Sequence, residues 1–305
     1  MHINTWVDKI YNKLLSEATR NQTEVVIIWI SIFSFLIHLL MILLASYDIP
    51  PFNVESELLN DPISAIYTPF SFILLFEVYL LVYHIPTSTT NYVGKQYEII
   101  TLIVIRRLFK DLSNLELTAN WFQDKNDLQL TYDIVTALVL FGMIYLFHYL
   151  NQKGHTYVKP FDQLSPKIKQ FVLRKRALAT LLVPIIIGLA TYSFTNWFIQ
   201  TFYFVMGANL PNSITNVNNI FFDQFFLVLI LTDVLLLLFS FFHTTKFNTF
   251  IRNSGFVIST IMIRLSFSAE GLLNNILIVV AVLFGLLILL INLQYEKLER
   301  SEQFS

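Results

Sequence analysis

Residues 99–106 read Ile-Ile-Thr-Leu-Ile-Val-Ile-Arg, and residues 257–264 read Val-Ile-Ser-Thr-Ile-Met-Ile-Arg. Each is an aliphatic run closed by an arginine, and whether such a run crosses a bilayer decides the fold. A hydrocarbon core of about 30 Å takes roughly 20 mostly apolar residues as a helix. Eight runs fit: 24–46, 66–85, 96–113, 132–150, 178–204, 223–242, 253–268 and 273–293. Arg106 and Arg107 interrupt the third and Arg264 the seventh, so six spans with two re-entrant segments is the competing reading. Charge selects eight. With eight spans every Lys or Arg outside a span falls on one side except Lys125, and the positive-inside rule places both termini in the cytoplasm.

The composition agrees with a chain built around a membrane. Of 305 residues, 55% are apolar, 15% aromatic and 13% charged, with a mean hydropathy of +0.61, whereas soluble domains carry about a quarter charged residues. The absence of Cys excludes a disulfide framework, a thiolate metal site and a cysteine nucleophile. No Walker loop, HExxH, nucleophile elbow or dinucleotide glycine pattern occurs. His, Asp and Glu are too dispersed for a recognisable metal site. The expectation is a non-enzymatic protein without metal or cofactor and without nucleic-acid binding.

The echo between 99–106 and 257–264 belongs to a wider duplication. Phe76-Glu77-Val78-Tyr79 aligns with Thr232-Asp233-Val234-Leu235, so an acid recurs in the second span of each half. Val139-Leu140-Phe141-Gly142 aligns with Val282-Leu283-Phe284-Gly285 in the fourth. Aliphatic identities match by chance, but an acid and an arginine recurring in order do not. The chain therefore divides into residues 1–23, an amphipathic interfacial helix with Ile3, Val7, Ile10 and Leu14 on one face; 24–152, a first four-helix unit; 153–177, a basic cytoplasmic linker; 178–293, a second unit; and 294–305, a cytoplasmic tail. Two units of even span number insert in the same sense, related by a pseudo-twofold along the membrane normal. Without a signal-peptide pattern in its first residues, the chain is expected to use its first span as an uncleaved insertion signal.

Charged side chains at bilayer depth are the candidate functional groups, because a lone one costs roughly 2.5–3.5 kcal/mol there. Glu77, Arg106, Asp233 and Arg264 all fall about 14–15 Å into their spans. The expected arrangement pairs Glu77 with Arg106 and Asp233 with Arg264, as an ion pathway or as buried pairs that fix helix register. His84, seven residues after Glu77, is a candidate proton relay, against an interfacial role. His38 and His148 read as packing histidines, and Arg107 and Lys110 as snorkelling residues. Lys167, Lys169, Arg174, Lys175 and Arg176 form a basic patch suited to anionic head groups or a protein partner. Membrane-protein partners or a homo-oligomer are compatible with this organisation.

Phe76-Glu77, Ile103-Val104-Ile105-Arg106 and Ile261-Met262-Ile263-Arg264 resemble the phosphate-starvation-inducible E (PsiE-like) family of bacterial membrane proteins. The resemblance covers three helices of each half; the chain departs from the family in having two units and in carrying Asp233 in place of Glu. It implies a bacterial inner-membrane location and a link to nutrient or envelope stress, and no biochemical activity. The expectation is a multi-pass small-ion or proton channel or transporter; the alternative is a non-transporting scaffold or regulatory subunit of a larger assembly.

Overall fold

In the computed structural model the described residues are 2–47, 62–113, 125–154, 165–205, 217–242, 246–269 and 271–304. They are helical, with no strand among them. The helices are α1 (His2–Leu14), α2 (Glu17–Ser46), α3 (Tyr67–His84), α4 (Thr89–Ser113), α5 (Lys125–Gly154), α6 (Pro166–Val205), α7 (Val217–Phe241), α8 (Phe247–Ser266) and α9 (Gly271–Phe304), with a 3₁₀ turn at Pro62–Ile66. The segments 48–61 and 114–124, part of the linker at 155–164 and the Lys167 side chain lie outside the described residues.

Local chemistry sets the helix ends. Ser16 caps α2 by accepting from Thr19 N at 3.1 Å, and the Thr19 hydroxyl donates to the Lys13 carbonyl of α1 at 2.9 Å, so the break between α1 and α2 is closed by side chains. Pro166 opens α6, where its missing N–H costs nothing. Gly271, at φ +62°, completes the tight turn from α8 to α9, a conformation that a Cβ would disfavour. Several boundaries differ from the sequence reading. The interfacial segment expected over 1–23 is broken at Leu15 and Ser16, with α2 starting at Glu17, and α4, α5 and α8 start six or seven residues before the expected runs. The basic stretch 166–177 is continuous with the fifth apolar run in one 40-residue helix, α6, and the tail from 294 continues α9 to Phe304.

Consecutive helices pack from α2 to α5 and again from α6 to α9. The two sets meet where equivalent helices touch, α5 on α9 and α4 on α8, with a further contact of α3 on α6. A continuous core runs through both sets, including Leu81, Tyr97, Ile99, Leu140, Phe147, Phe256, Ile263 and Val282. Among the described residues, four helical stretches are long and apolar enough to cross a membrane: Asp8–Ser46, Asp127–Lys153, Gln224–Phe241 and Gly271–Glu299. Thr68–His84 is apolar but shorter.

The two helices that carry the quoted runs, α4 and α8, fall short of that hydropathy for a visible reason. They touch each other between the units and carry buried polar side chains, Gln96, Thr101 and Arg106 on α4 and Asn253, Ser259, Thr260 and Ser266 on α8. A helix enclosed by other helices need not be apolar.

Close packing accompanies this contact. A Cβ on Gly285 of α9 would lie 1.7 Å from the Tyr97 hydroxyl of α4, and one on Gly255 of α8 would lie 2.8 Å from Ile288. Small residues that let helices approach are a recurrent device where lipid supplies no hydrophobic drive between helices.

Candidate functional site

The first polar layer lies about 9–14 Å from one set of helix ends, at the start of α4 and the ends of α3 and α5. Lys95 stands two turns inside α4 and not in a loop. Its Nζ lies 3.0 Å from Glu77 Oε2 on α3 and donates to Glu98 Oε2 at 2.7 Å. The second Glu98 oxygen meets His148 Nε2 of α5 at 2.8 Å. Glu77, Lys95, Glu98 and His148 therefore form one contiguous string of titratable side chains across three helices. Glu77 and Lys95 are each only 16% exposed, so their mutual attraction is weakly screened.

The equivalent acid of the second unit has a different environment. Asp233 of α7 is 5% exposed and both of its oxygens accept from Gln96 Nε2 of α4 at 3.0 Å. Gln96 in turn accepts from the Thr260 hydroxyl of α8 at 2.9 Å. One neutral amide thus joins α7 and α8 to the first unit. Beside it, the Tyr97 hydroxyl meets Ser259 Oγ at 2.8 Å, and Ser259 donates to the Ala281 carbonyl at 2.7 Å.

These contacts correct the expected pairing. Glu77 meets Lys95 and not Arg106; Asp233 meets Gln96 and not Arg264. Arg106 is buried at 7% exposure and Arg264 is half-buried, away from the acids assigned to them. Spacing along a helix fixes depth but not azimuth, and Lys95 and Gln96 face the acids where the arginines do not. His84 lies outside the string; its ring packs edge-on against Tyr83 and its carbonyl accepts from the Thr87 hydroxyl at 2.6 Å. His148, read from sequence as a packing residue, is the histidine in the string.

A second polar layer occupies the opposite ends of α4, α5 and α9, and it contains the residues that the sequence reading missed. Arg107 donates through Nε and Nη2 to the two oxygens of Asp133, the latter at 2.9 Å. The same guanidinium donates to Asn274 Oδ1 at 2.8 Å and to Asn275 Oδ1. Gln129 Nε2 donates to Asp133 at 2.7 Å, and Asn274 Nδ2 donates to the Ser266 carbonyl at 2.6 Å. Asp133 is fully buried. A bidentate Arg–carboxylate pair with its remaining sites filled is the favourable case for a buried charge pair. The signal in the sequence was the doublet Asn274-Asn275 at the head of an apolar run, together with an acid, Asp133, two turns into another.

The basic patch of α6 faces in several directions. Arg176 Nη1 lies 3.2 Å from Asp8 Oδ1 of α1 with its guanidinium 5.1 Å from the Tyr11 ring, and the Tyr79 hydroxyl of α3 donates to the Leu14 carbonyl at 2.9 Å. Helix α1 is thus fastened to α6 and α3. Arg174 lies over Phe242 at 5.6 Å. Lys175 is buried, with Nζ donating to the Thr87 carbonyl at 2.8 Å. Burial, followed by the nearby Arg252 charge, pushes its ammonium down to about 7. Lys169 is half-exposed.

Among the described residues no group of three or more His, Asp or Glu side chains is arranged to hold a metal ion. No family model, curated protein or solved structure matches the chain.

Proposed function

We propose that the chain is a multi-pass membrane protein that moves protons or a small cation, with the string Glu77, Lys95, Glu98 and His148 as its transfer path and Asp233 as the matching acid of the second unit. The observation that carries this reading is the unbroken contact between four titratable side chains at bilayer depth, where ionisable groups commonly mark ion routes and proton relays. The spanning arrangement proposed is eight helices in two tandem units about an axis along the membrane normal, with both termini cytoplasmic, in a bacterial inner membrane. It is supported by the repeated order of helix contacts and by the pairing of α4 with α8 and α5 with α9. Kinship with the PsiE-like family, and through it a stress-response context, is part of the proposal on the strength of the arginine-terminated runs alone. Lys169, Arg174 and Arg176 lie at the end of α6 that this orientation assigns to the cytoplasm, where anionic head groups would meet them.

The test is proton and cation flux in proteoliposomes under an imposed potential. Wild-type protein is expected to conduct, and Glu77→Gln and Glu98→Gln are expected to reduce the flux while the protein stays folded. Absence of wild-type flux for protons and alkali cations would overturn the reading in favour of a second one, a non-transporting scaffold or regulatory subunit. The Arg107 and Asp133 layer favours that alternative, because its bidentate pair, with the remaining sites filled by Asn274, Asn275 and Gln129, ties α4, α5 and α9 together.

A further inference from the structure

A small cavity opens between α4, α7 and α8, bounded by Thr89, Tyr92, Asp233, Asn253 and Thr260 among its polar residues, with an empty volume of about 310 Å³ including open space at its rim. Two of these groups are incompletely satisfied. The Asp233 carboxylate is held only by neutral donors, and Gln96 supplies a single hydrogen bond to each of its oxygens, although each can accept more. The Tyr92 hydroxyl, on a residue 2% exposed, faces the Asp233 carboxylate and Gln96 without a hydrogen bond of good geometry. A buried carboxylate with no cationic partner and a buried hydroxyl without a well-formed hydrogen bond are each costly alone.

We propose that this cavity is a binding site for one monovalent alkali cation, held by the Asp233 carboxylate and the Tyr92 hydroxyl, with Thr89 and Thr260 offering further oxygens. The chemistry selects the ligand. The donors are oxygens, which suits a hard cation and not a transition metal. One carboxylate supplies one negative charge, which a monovalent ion balances and a divalent ion exceeds. The nearest lysine in sequence, Lys95, is engaged by Glu77 and Glu98 and does not supply that balance. Asn253, whose Nδ2 donates to Ser240 Oγ at 2.9 Å and whose Oδ1 accepts from the Arg252 guanidinium at 3.3 Å, lines the cavity wall without serving as a ligand. The inference deepens the transport reading by naming an ion and a resting place for it.

The experiment is equilibrium binding, read separately from flux. Purified protein in detergent is heated in sodium chloride and in N-methylglucamine chloride at equal ionic strength and pH. A ligand that binds only the folded state raises the midpoint according to its concentration over its dissociation constant. Sodium is expected to raise the midpoint saturably and N-methylglucamine to leave it unchanged. Asp233→Asn is expected to abolish the sodium response, and Tyr92→Phe, which keeps the ring, to raise the half-saturating sodium concentration several-fold. Equal midpoints in the two salts would overturn the proposal. So would an unchanged half-saturating concentration in Tyr92→Phe, which serves as the deciding variant if Asp233→Asn fails to fold. Sodium binding without flux would leave the site standing and remove the transport reading; flux without sodium binding would do the reverse.

Discussion

Glu77 and Asp233 are aligned by the proposed duplication, and their surroundings differ. Glu77 meets a lysine of its own unit, whereas Asp233 meets a neutral amide of the other. Extending the alignment of 99–106 with 257–264 back by four residues sets Asn253 opposite Lys95, so the second copy lacks the cation that would have served its acid. The deficit is met across the interface by Gln96. The same direction recurs at the far ends of the helices, where Arg107 of α4 reaches Asn274 and Asn275 of α9 while its counterpart Leu265 is 61% exposed. Helix α4 carries the polar side chains on which α7, α8 and α9 converge: Gln96 for Asp233 and Thr260, Tyr97 for Ser259, and Arg107 for Asn274 and Asn275. A duplicated unit thus keeps its depths and apolar faces but not its polar partners, because partners must fit one interface that the two copies share from opposite sides.

The largest way to break this asymmetry is Arg107→Ala. It would leave Asp133 buried without its counter-charge and strip both Asn side chains of a donor, and removal of one member of a buried pair costs about 3–5 kcal/mol. Leu265→Ala, the aligned position in α8, should change stability by no more than about 0.5 kcal/mol. Urea or thermal unfolding in detergent compares them; equal losses would remove the distinction between the two positions.

Next is Gln96→Leu, which keeps the bulk but leaves Asp233 without its donor. A buried acceptor deprived of its partner costs about 1–3 kcal/mol, and the loss should be smaller when Asp233→Asn is made as well. A double-mutant cycle reads the coupling; additivity of the two losses would show that the contact joins nothing.

Gly142 and Gly285 offer a third comparison, since they are aligned residues in α5 and α9 with opposite surroundings. Gly285 abuts the Tyr97 hydroxyl, while no atom lies within 4 Å of a Cβ built on Gly142. Gly285→Ala should therefore cost about 1–3 kcal/mol by overpacking, and the loss should be relieved by Tyr97→Phe. Gly142→Ala should be neutral or stabilise by up to about 1 kcal/mol through helix propensity. Thermal midpoints of the three variants test it, and a destabilised Gly142→Ala would contradict the packing.

The glycines also mark how far sequence alone reaches. The apolar runs and the recurrence of Arg106 as Arg264 are set by local composition, and α2 to α9 each overlap one of the expected runs, four described stretches being long and apolar enough to cross a membrane. The break at Leu15 and Ser16 inside the expected 1–23 helix was not legible. Partners were not legible, because they depend on which faces meet. Lys95 was assigned to a loop, although α4 begins at Thr89 and carries it two turns inward. Arg107 was set aside because the second copy has Leu265, when that very mismatch marks where the copies differ in use. Asp233 was given an arginine from its own unit because nothing in the sequence points across to Gln96.

The fourth test concerns a contact donated in the opposite direction, Lys175 of α6 donating to the Thr87 carbonyl between α3 and α4. Its folded-state value of about 7 lies below the 10.5 of an exposed lysine. Between those values the unfolded chain binds more protons than the folded one, so Lys175 adds stability as pH rises from about 7 towards 10.5 and loses it as pH falls back through about 7. The increment is at most about 1.4 kcal/mol per pH unit. Unfolding midpoints measured from pH 7 to 9 should rise less steeply in Lys175→Met than in wild type; parallel slopes would mean that Lys175 keeps its ordinary proton.

The smallest effect is expected at the fastening of α1. Arg176 and Asp8 are partly exposed, at 24% and 35%, and pairs of that kind contribute about 0–1 kcal/mol. Asp8→Asn should therefore leave the unfolding midpoint nearly unchanged, while the loss of charge on α1 makes its detachment from α6 more frequent. Hydrogen exchange of the α1 amides reads that opening directly. Faster exchange confined to α1, with the Gln96 and Arg107 layers still protected, would show that this contact fastens one helix and takes no part in joining the two units; faster exchange spreading to α4 and α9 would make it part of the same interface.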